Sequence, residues 1–277
     1  MSESNRFLSI REEQQTELEI MKALHDYCSR HNLRYVLGYG TLLGAIRHKG
    51  FIPWDNDMDI LMPRGDMDKL LALTAEEPVS PDIRLFFFTT DAGYHYPIIR
   101  ACSMKTVAQP PYLREGIDSL GLWVDIFPMD GVYRGKYILQ KPLIWFCHTL
   151  LNATIYILPS EARLKRFLQK VILKVFPDRN HRFERWLTAV CRWGRYDQAD
   201  KVCDLCEYGT TARNAMDRAD VENPVLASYE DARFFIPRNA GRYLEALYGN
   251  YMQLPPEEDR ITHSICSCFK AGGKESL

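Results

Sequence analysis

From Ser9 to His31, apolar side chains recur at helical spacing (Leu18, Met21, Leu24 and Cys28, with Ile20 and Tyr27 beside them) among Glu, Gln and Arg, which predicts an amphipathic helix stopped near Asn32. Arg34–Leu37 reads as a short strand broken by Gly38 and Gly40, after which Thr41 is placed to cap a short helix through His48. Gly50 and Pro53 end that helix, and Met58–Met62 has the length and apolar character of a second strand, with Pro63 and Gly65 as its exit. Further strands are predicted at Arg84–Thr89, Tyr96–Cys102 and Leu122–Phe127, the last closed by Pro128 and Gly131. The pattern then changes. Leu164, Phe167, Leu168, Val171, Ile172 and Val175 fall at i, i+3, i+4, i+7, i+8 and i+11, with Lys and Arg elsewhere, so residues 134–195 read as a helical insertion. Pro237–Tyr251 predicts a last helix, ahead of the break at Pro255 and Pro256. No internal repeat is present.

Charge sharpens the outline of the insertion. The whole chain carries a formal −1, which excludes bulk attraction to nucleic acid, but residues 134–195 hold 13 Lys/Arg against 3 Asp/Glu. That stretch is therefore +10 and the remainder −11. Within it, Pro142–Pro159 is an uncharged run of 18 residues, near membrane-spanning length but interrupted by His148 and Asn152, so surface association is expected rather than a span. A basic amphipathic insertion suits peripheral contact with an anionic membrane; the competing expectation is a helical subdomain packed on the core. The eight cysteines are scattered and no apolar leader precedes them, so a cytoplasmic location is expected, including the inner face of the cell membrane.

The candidate chemistry lies in Trp54-Asp55-Asn56-Asp57-Met58-Asp59-Ile60. Carboxylates at i and i+2 on a strand share a face, so Asp57 and Asp59 can converge on one divalent cation, and magnesium, a hard ion favouring oxygen ligands and phosphates, suits them best. Asp125, central in an apolar strand where a charge is costly, is the candidate third carboxylate, as metal ligand, proton acceptor or both. An EF-hand fails because Ile60 replaces the required Gly and Asp66 the terminal Glu. Gly38-Tyr39-Gly40-Thr41-Leu42-Leu43-Gly44 matches neither the dinucleotide nor the P-loop fingerprint, yet a glycine turn at a helix N-terminus can hold a phosphate, which makes Gly40 and Thr41 candidates for substrate contact. Arg47 and Lys49 are candidates for phosphate contacts and His48 for positioning, against a solvated helix end. A quaternary ammonium substrate would call for an aromatic cage, for which Trp54, Tyr39, Trp123 and Phe127 are at hand. Cys203, Cys206, Cys266, Cys268 and His263 could form a zinc site, though the second pair is poorly spaced and reduced thiols are the default.

The run Gly40-Thr-Leu-Leu-Gly-Ala-Ile-Arg-His-Lys-Gly-Phe-Ile-Pro-Trp-Asp-Asn-Asp-Met-Asp-Ile60 resembles the signature of the LicD family of phosphocholine transferases. Trp123–Gly131 resembles the family's second motif, and Tyr248–Glu258, followed by Arg260 and His263, its C-terminal one. The resemblance implies an α+β, nucleotidyltransferase-like mixed sheet with flanking helices, one catalytic domain over residues 1–277, and Asp57, Asp59 and Asp125 as the metal and catalytic carboxylates. It further implies a Mg2+ cofactor, with Mn2+ as alternative, and a CDP-activated donor such as CDP-choline or another CDP-alcohol. Phosphocholine would pass to a sugar hydroxyl of a surface glycan precursor, including a lipid-linked one, with release of CMP; Gly40, Thr41, Arg47, His48, Lys49, Trp54, Arg260 and His263 would bind substrate. Asn56 departs from the family's usual Asp, and His263-Ser264 from paired histidines. Two rival readings are a true nucleotidyltransferase that releases pyrophosphate and a non-catalytic nucleotide- or glycan-binding protein.

Overall fold

The computed structural model describes residues 7–109, 120–155, 163–177, 179–207, 214–260 and 267–270. Helix α1 (Ile10–Arg30) opens with a capping box in which the Ser9 hydroxyl accepts the Glu12 N–H while the Glu12 carboxylate accepts the Ser9 N–H. Two otherwise unpaired donors of the first turn are thereby satisfied. Asn32, with φ of 52°, turns the chain into β1 (Val36–Leu37). Helix α2 (Tyr39–Arg47), strand β2 (Met58–Pro63) and helix α3 (Arg64–Thr74) follow. Where Pro63 and Gly65 suggested an exit turn, α3 starts directly: Pro63 is extended, and Arg64 is buried with its guanidinium forked onto Asp130 at 3.1 and 2.5 Å.

Strands β3 (Ile83–Phe86), β4 (Ile99–Ser103), β5 (Thr106–Gln109) and β6 (Trp123–Gly131) complete the first half. Pro128 does not close β6. It falls between the β6 residues paired to β4 (123–126) and those paired farther along (129–131), where a missing N–H interrupts no ladder on that edge. Helices α4 (Arg134–Ile155), α5 (Arg163–Val175) and α6 (Arg182–Cys191) form the basic insertion. Strands β7 (Lys201–Asp204) and β8 (Met216–Asp217), helix α7 (Arg218–Glu222), the hairpin β9 (Val225–Tyr229) and β10 (Ala232–Ile236), helix α8 (Ala240–Tyr248) and strand β11 (Ser267–Lys270) end the described chain.

The result is an α+β fold on a mixed seven-stranded sheet ordered β1-β2-β6-β4-β3, with β7 on β6 and β8 on β7. β2 and β6 run parallel at its centre; the other pairings are antiparallel. The main core joins α1 (Leu24, Tyr27) to the central strands (Ile60, Ile126) and the β9–β10 hairpin (Phe234). A second core, containing Cys147, Leu150, Phe183, Leu187 and Cys191, lies among α4, α6 and the residues after β7. The exit of the insertion is pinned at Gly194, which accepts the Gly131 N–H at 2.9 Å and where a Cβ would sit 1.7 Å from the Gly131 oxygen. Glu184 in α6 is fully buried and meets His95 at 3.0 Å, tying the insertion to the β3–β4 connection.

Helix α5 does not bury its apolar stripe. It packs through Gln169, whose amide donates to the Ala153 carbonyl at 2.8 Å, and partly through Ile172, leaving Leu164, Phe167, Leu168, Val171 and Val175 exposed. Among the described residues no helix is long and apolar enough to cross a membrane. The zinc grouping is not formed by the cysteines described: Cys203 and Cys206 belong to the second core, Cys268 to a separate cluster with Ala108 and Leu122. Cys266 and His263 lie outside the described residues.

Candidate active site

The central parallel pair creates the site. Asp59 and Asp125 are direct partners across β2 and β6, and Asp125 is in turn the partner of Arg100 across β6 and β4. Residues paired in this way share a face, so three charged side chains stand in a row over the sheet. Gly38 extends the row on the far side, its N–H donating to the Asp59 carbonyl at 3.0 Å. Asp57, one residue before β2, is exposed, whereas Asp59 is buried. Burial, then the charges of Asp57, Asp125 and Asp55, push the Asp59 carboxyl well above the ordinary carboxylate range.

Thr41 does not cap α2. Gly38 is the N-cap residue, and the buried Thr41 hydroxyl accepts the Asp59 N–H at 2.7 Å, fixing the acid strand against the helix. Gly40 keeps space open beside the acids, since a Cβ there would stand 3.0 Å from the Asp55 carboxylate. The N–H groups of Gly40 and Thr41 belong to the first turn and have no acceptor within their own helix, so this end of α2 can receive an anion.

Two contributors escaped the sequence reading. The first is Arg100, whose Nε donates to Asp125 Oδ1 at 2.9 Å while the Trp123 indole donates to Oδ2 at 3.0 Å. Its guanidinium lies between two rings, 4.3 Å from the Tyr96 centroid and 4.2 Å from that of Trp123. The second is the polar edge of α1. Glu13, Gln14 and Glu17 are all buried, Gln14 donates to the Asp55 carbonyl at 2.7 Å, and Asn56 donates to Glu13 at 2.5 Å. Glu17 is 3% exposed and its Oε2 has no hydrogen-bond partner. Burial raises its carboxyl well above the ordinary range, and the neighbouring charges of Asp57, Asp59, Glu13 and Asp125 add to the shift, which places Glu17 against the same acid cluster. The signal was present: Glu13 and Glu17 continue the Ile20 and Leu24 stripe at i, i+4, i+7 and i+11.

The C-terminal motif meets the first motif. Arg47 donates to the carbonyls of Tyr251 at 2.8 Å and Gln253 at 3.4 Å, and burial lowers its pKa. Arg260 lies over the Trp54 ring at 5.2 Å, and His48 meets the same ring edge-on at 6.3 Å. Burial, then Arg47, lowers the His48 pKa. Tyr248 belongs to this side too, its phenol pKa raised by burial and then by Asp59, Asp55 and Asp57. Lys49 is exposed with φ of 62°, its ammonium on the Ile46 carbonyl at 3.2 Å. The four aromatic residues do not form one cage: Trp123 is stacked on Arg100, Trp54 on Arg260, and Tyr39 packs on Phe127 while its hydroxyl donates to Asp204 at 3.0 Å.

An acid row on a mixed sheet, a glycine turn opening a helix beside it and a returning C-terminal motif meet here, and residues 32–133 match the family described as LicD/FKTN/FKRP, nucleotidyltransferase domain. Along 95% of its length the chain is 28% identical to the lipopolysaccharide cholinephosphotransferase LicD of Haemophilus influenzae, of which it covers 98%. Shorter matches, 48% identical over 42 residues, occur with uncharacterized proteins of Rickettsia prowazekii and Rickettsia typhi, covering 16% and 14% of those proteins.

Proposed function

We propose that this chain is a cholinephosphotransferase of the LicD type. It moves phosphocholine, or another phosphate-linked alcohol, from a CDP-activated donor to a sugar hydroxyl of a surface glycan precursor and releases CMP. The observation that carries this reading is the Asp59–Asp125–Arg100 row with Asp57 beside it, in a chain similar along nearly its whole length to a cholinephosphotransferase. The nucleotidyltransferase-like character of the fold is part of the same proposal.

The donor set fits magnesium, with manganese as the alternative. It consists of carboxylate oxygens alone, and beside it Glu17 Oε2 is buried among like charges with no hydrogen-bond partner of its own. Asp57 and Asp59 are the residues that would hold the ion, with Asp125 adjoining; bound there, it supplies positive charge against a diphosphate. The chain's own groups do the rest. The first turn of α2 receives a phosphate through the Gly40 and Thr41 N–H groups, and the glycine at 40 admits it close to the backbone. Asp125 is oriented through both oxygens, by Arg100 and Trp123, and each oxygen keeps a lone pair to accept the attacking hydroxyl's proton. Arg260 and Trp54 line the side reached by the C-terminal motif and are assigned to the donor's nucleotide end.

The test incubates the protein with magnesium, a panel of CDP-alcohols and lipopolysaccharide or teichoic-acid acceptors, and measures CMP, pyrophosphate and modified sugar. CMP with phosphocholine on the sugar is expected, and loss of both in Asp57→Asn and Asp59→Asn. Pyrophosphate as product sinks the proposed reaction, and undiminished CMP release in both variants sinks the cation assignment.

A further inference from the structure

The +10 insertion takes no part in the acid site, and α5 within it is mounted the wrong way round for a helix of a water-facing domain. At roughly 100° per residue, Leu164, Phe167, Leu168, Val171 and Val175 form one stripe, while Gln169, Ile172, Leu173 and Phe176 centre roughly 140° away. The second, more polar side is the one that packs on α4. The stripe points outward, with Leu164 71%, Phe167 62% and Val175 62% exposed. Arg166, Lys170 and Lys174, all exposed, fill the arc alongside it. Exposed positions of α4 add Ile138, Leu139 and Trp145 to the same insertion. Scattered exposed apolar residues need no partner, but a continuous helical stripe bordered by cations does.

We infer that α5 lies in the interface of an anionic phospholipid bilayer, its Leu164–Val175 stripe in the acyl boundary and its basic arc among the headgroup phosphates. The charge pattern selects this occupant. A second copy docked stripe to stripe would bring two basic arcs together, whereas an anionic surface attracts each Lys and Arg while the stripe leaves water. Among the described residues no helix is long and apolar enough to cross a membrane, and the contact inferred is a peripheral one. The arrangement would hold the protein where a lipid-linked acceptor resides, but it does not depend on the transfer reaction.

Flotation of the full chain with vesicles tests it without any substrate. With phosphatidylglycerol-rich vesicles at low salt the protein is expected in the floating fraction, with about a tenfold or greater loss of partitioning in pure phosphatidylcholine or at high salt. Phe167→Glu with Val171→Glu, both at solvent-exposed positions, should reduce partitioning at least about tenfold while leaving the melting temperature unchanged. Substituting Lys170→Glu and Lys174→Glu instead should weaken binding only to the anionic vesicles. The inference is overturned if the wild-type chain stays unbound with anionic vesicles, or if the Phe167/Val171 variant floats as well as wild type. It is equally overturned if wild type is a dimer in solution that this variant converts to monomer, because the stripe then belongs to a second copy.

Discussion

Replacing Glu17 by Gln keeps the shape of a buried side chain and removes its charge. In the wild-type protein that carboxylate has one oxygen with no hydrogen-bond partner and stands among Asp57, Asp59, Glu13 and Asp125. Leaving a buried polar group unpaired costs about 1–3 kcal/mol, and more for a charge, so metal-free Glu17→Gln should gain about 1–3 kcal/mol. For a chain of this size that is a rise in melting temperature on the order of 5 °C. The pH dependence follows from the direction of the shift. The folded-state pKa lies above the usual value of 4.5, so the Glu17 contribution is fully present below that value and is lost as pH rises through the folded pKa. Melting in chelator at about pH 8 should therefore separate variant from wild type, and melting at about pH 5 should bring them together. Magnesium should reverse the order at the higher pH by stabilising wild type more than the variant. A variant that melts below wild type at both pH values without metal would refute the reasoning, since it would mean that Glu17 is satisfied where it lies.

Three further outcomes test the site. Arg100→Met removes a cation held between two rings and paired to Asp125, which should cost about 3–5 kcal/mol by denaturant unfolding. Arg100→Lys should recover stability only in part, because an ammonium cannot reproduce the stacked Nε–H contact. Thr41→Val leaves the buried Asp59 N–H without its acceptor and should lose about 1–3 kcal/mol, together with turnover, with donor KM less affected than kcat. Asp204 is buried with its carboxyl pushed up to about 7, so it destabilises the fold progressively as pH rises from its ordinary 3.8 toward 7. Asp204→Asn keeps an acceptor for the Cys206 N–H and should stabilise the protein by roughly 1–3 kcal/mol near pH 8 but not near pH 4; an equal gain at both would rule the account out.

Part of the acid arrangement was legible in the sequence: Asp59 at the entry of an apolar run and Asp125 within another are local signals, and the fold brings the two side by side, while Asp57 stands one residue before β2, where strand parity does not set its direction. Arg100 was not legible, since a lone Arg in a short strand looks solvated until the register sets it opposite Asp125. Thr41 was misjudged as a cap because its hydroxyl is claimed by a residue 18 positions away. Glu17 sits on the Ile20–Leu24 stripe of α1, and the polar end of that stripe meets an acid loop instead of the core, which helical spacing alone does not reveal. The stripe on α5 was found from its period, but periodicity gives a face and not what covers it.

The insertion leaves the sheet at Gly131 and returns at Lys201, on strands that are immediate antiparallel neighbours with Gly131 opposite Val202. Topologically it is an overgrown hairpin loop, however many helices it holds. A hairpin closes at its stem, so its tip can lengthen, shorten or change chemistry without moving the strand on which it stands. β6 is the strand that sets Asp125 against Asp59 and Arg100, and its register is fixed on both edges before the loop begins. The face inferred to meet the bilayer can thus diverge without changing the register that sets the carboxylates, so a graft of another protein's β6–β7 loop onto this stem, keeping the Glu184–His95 contact, is the engineering route to change it.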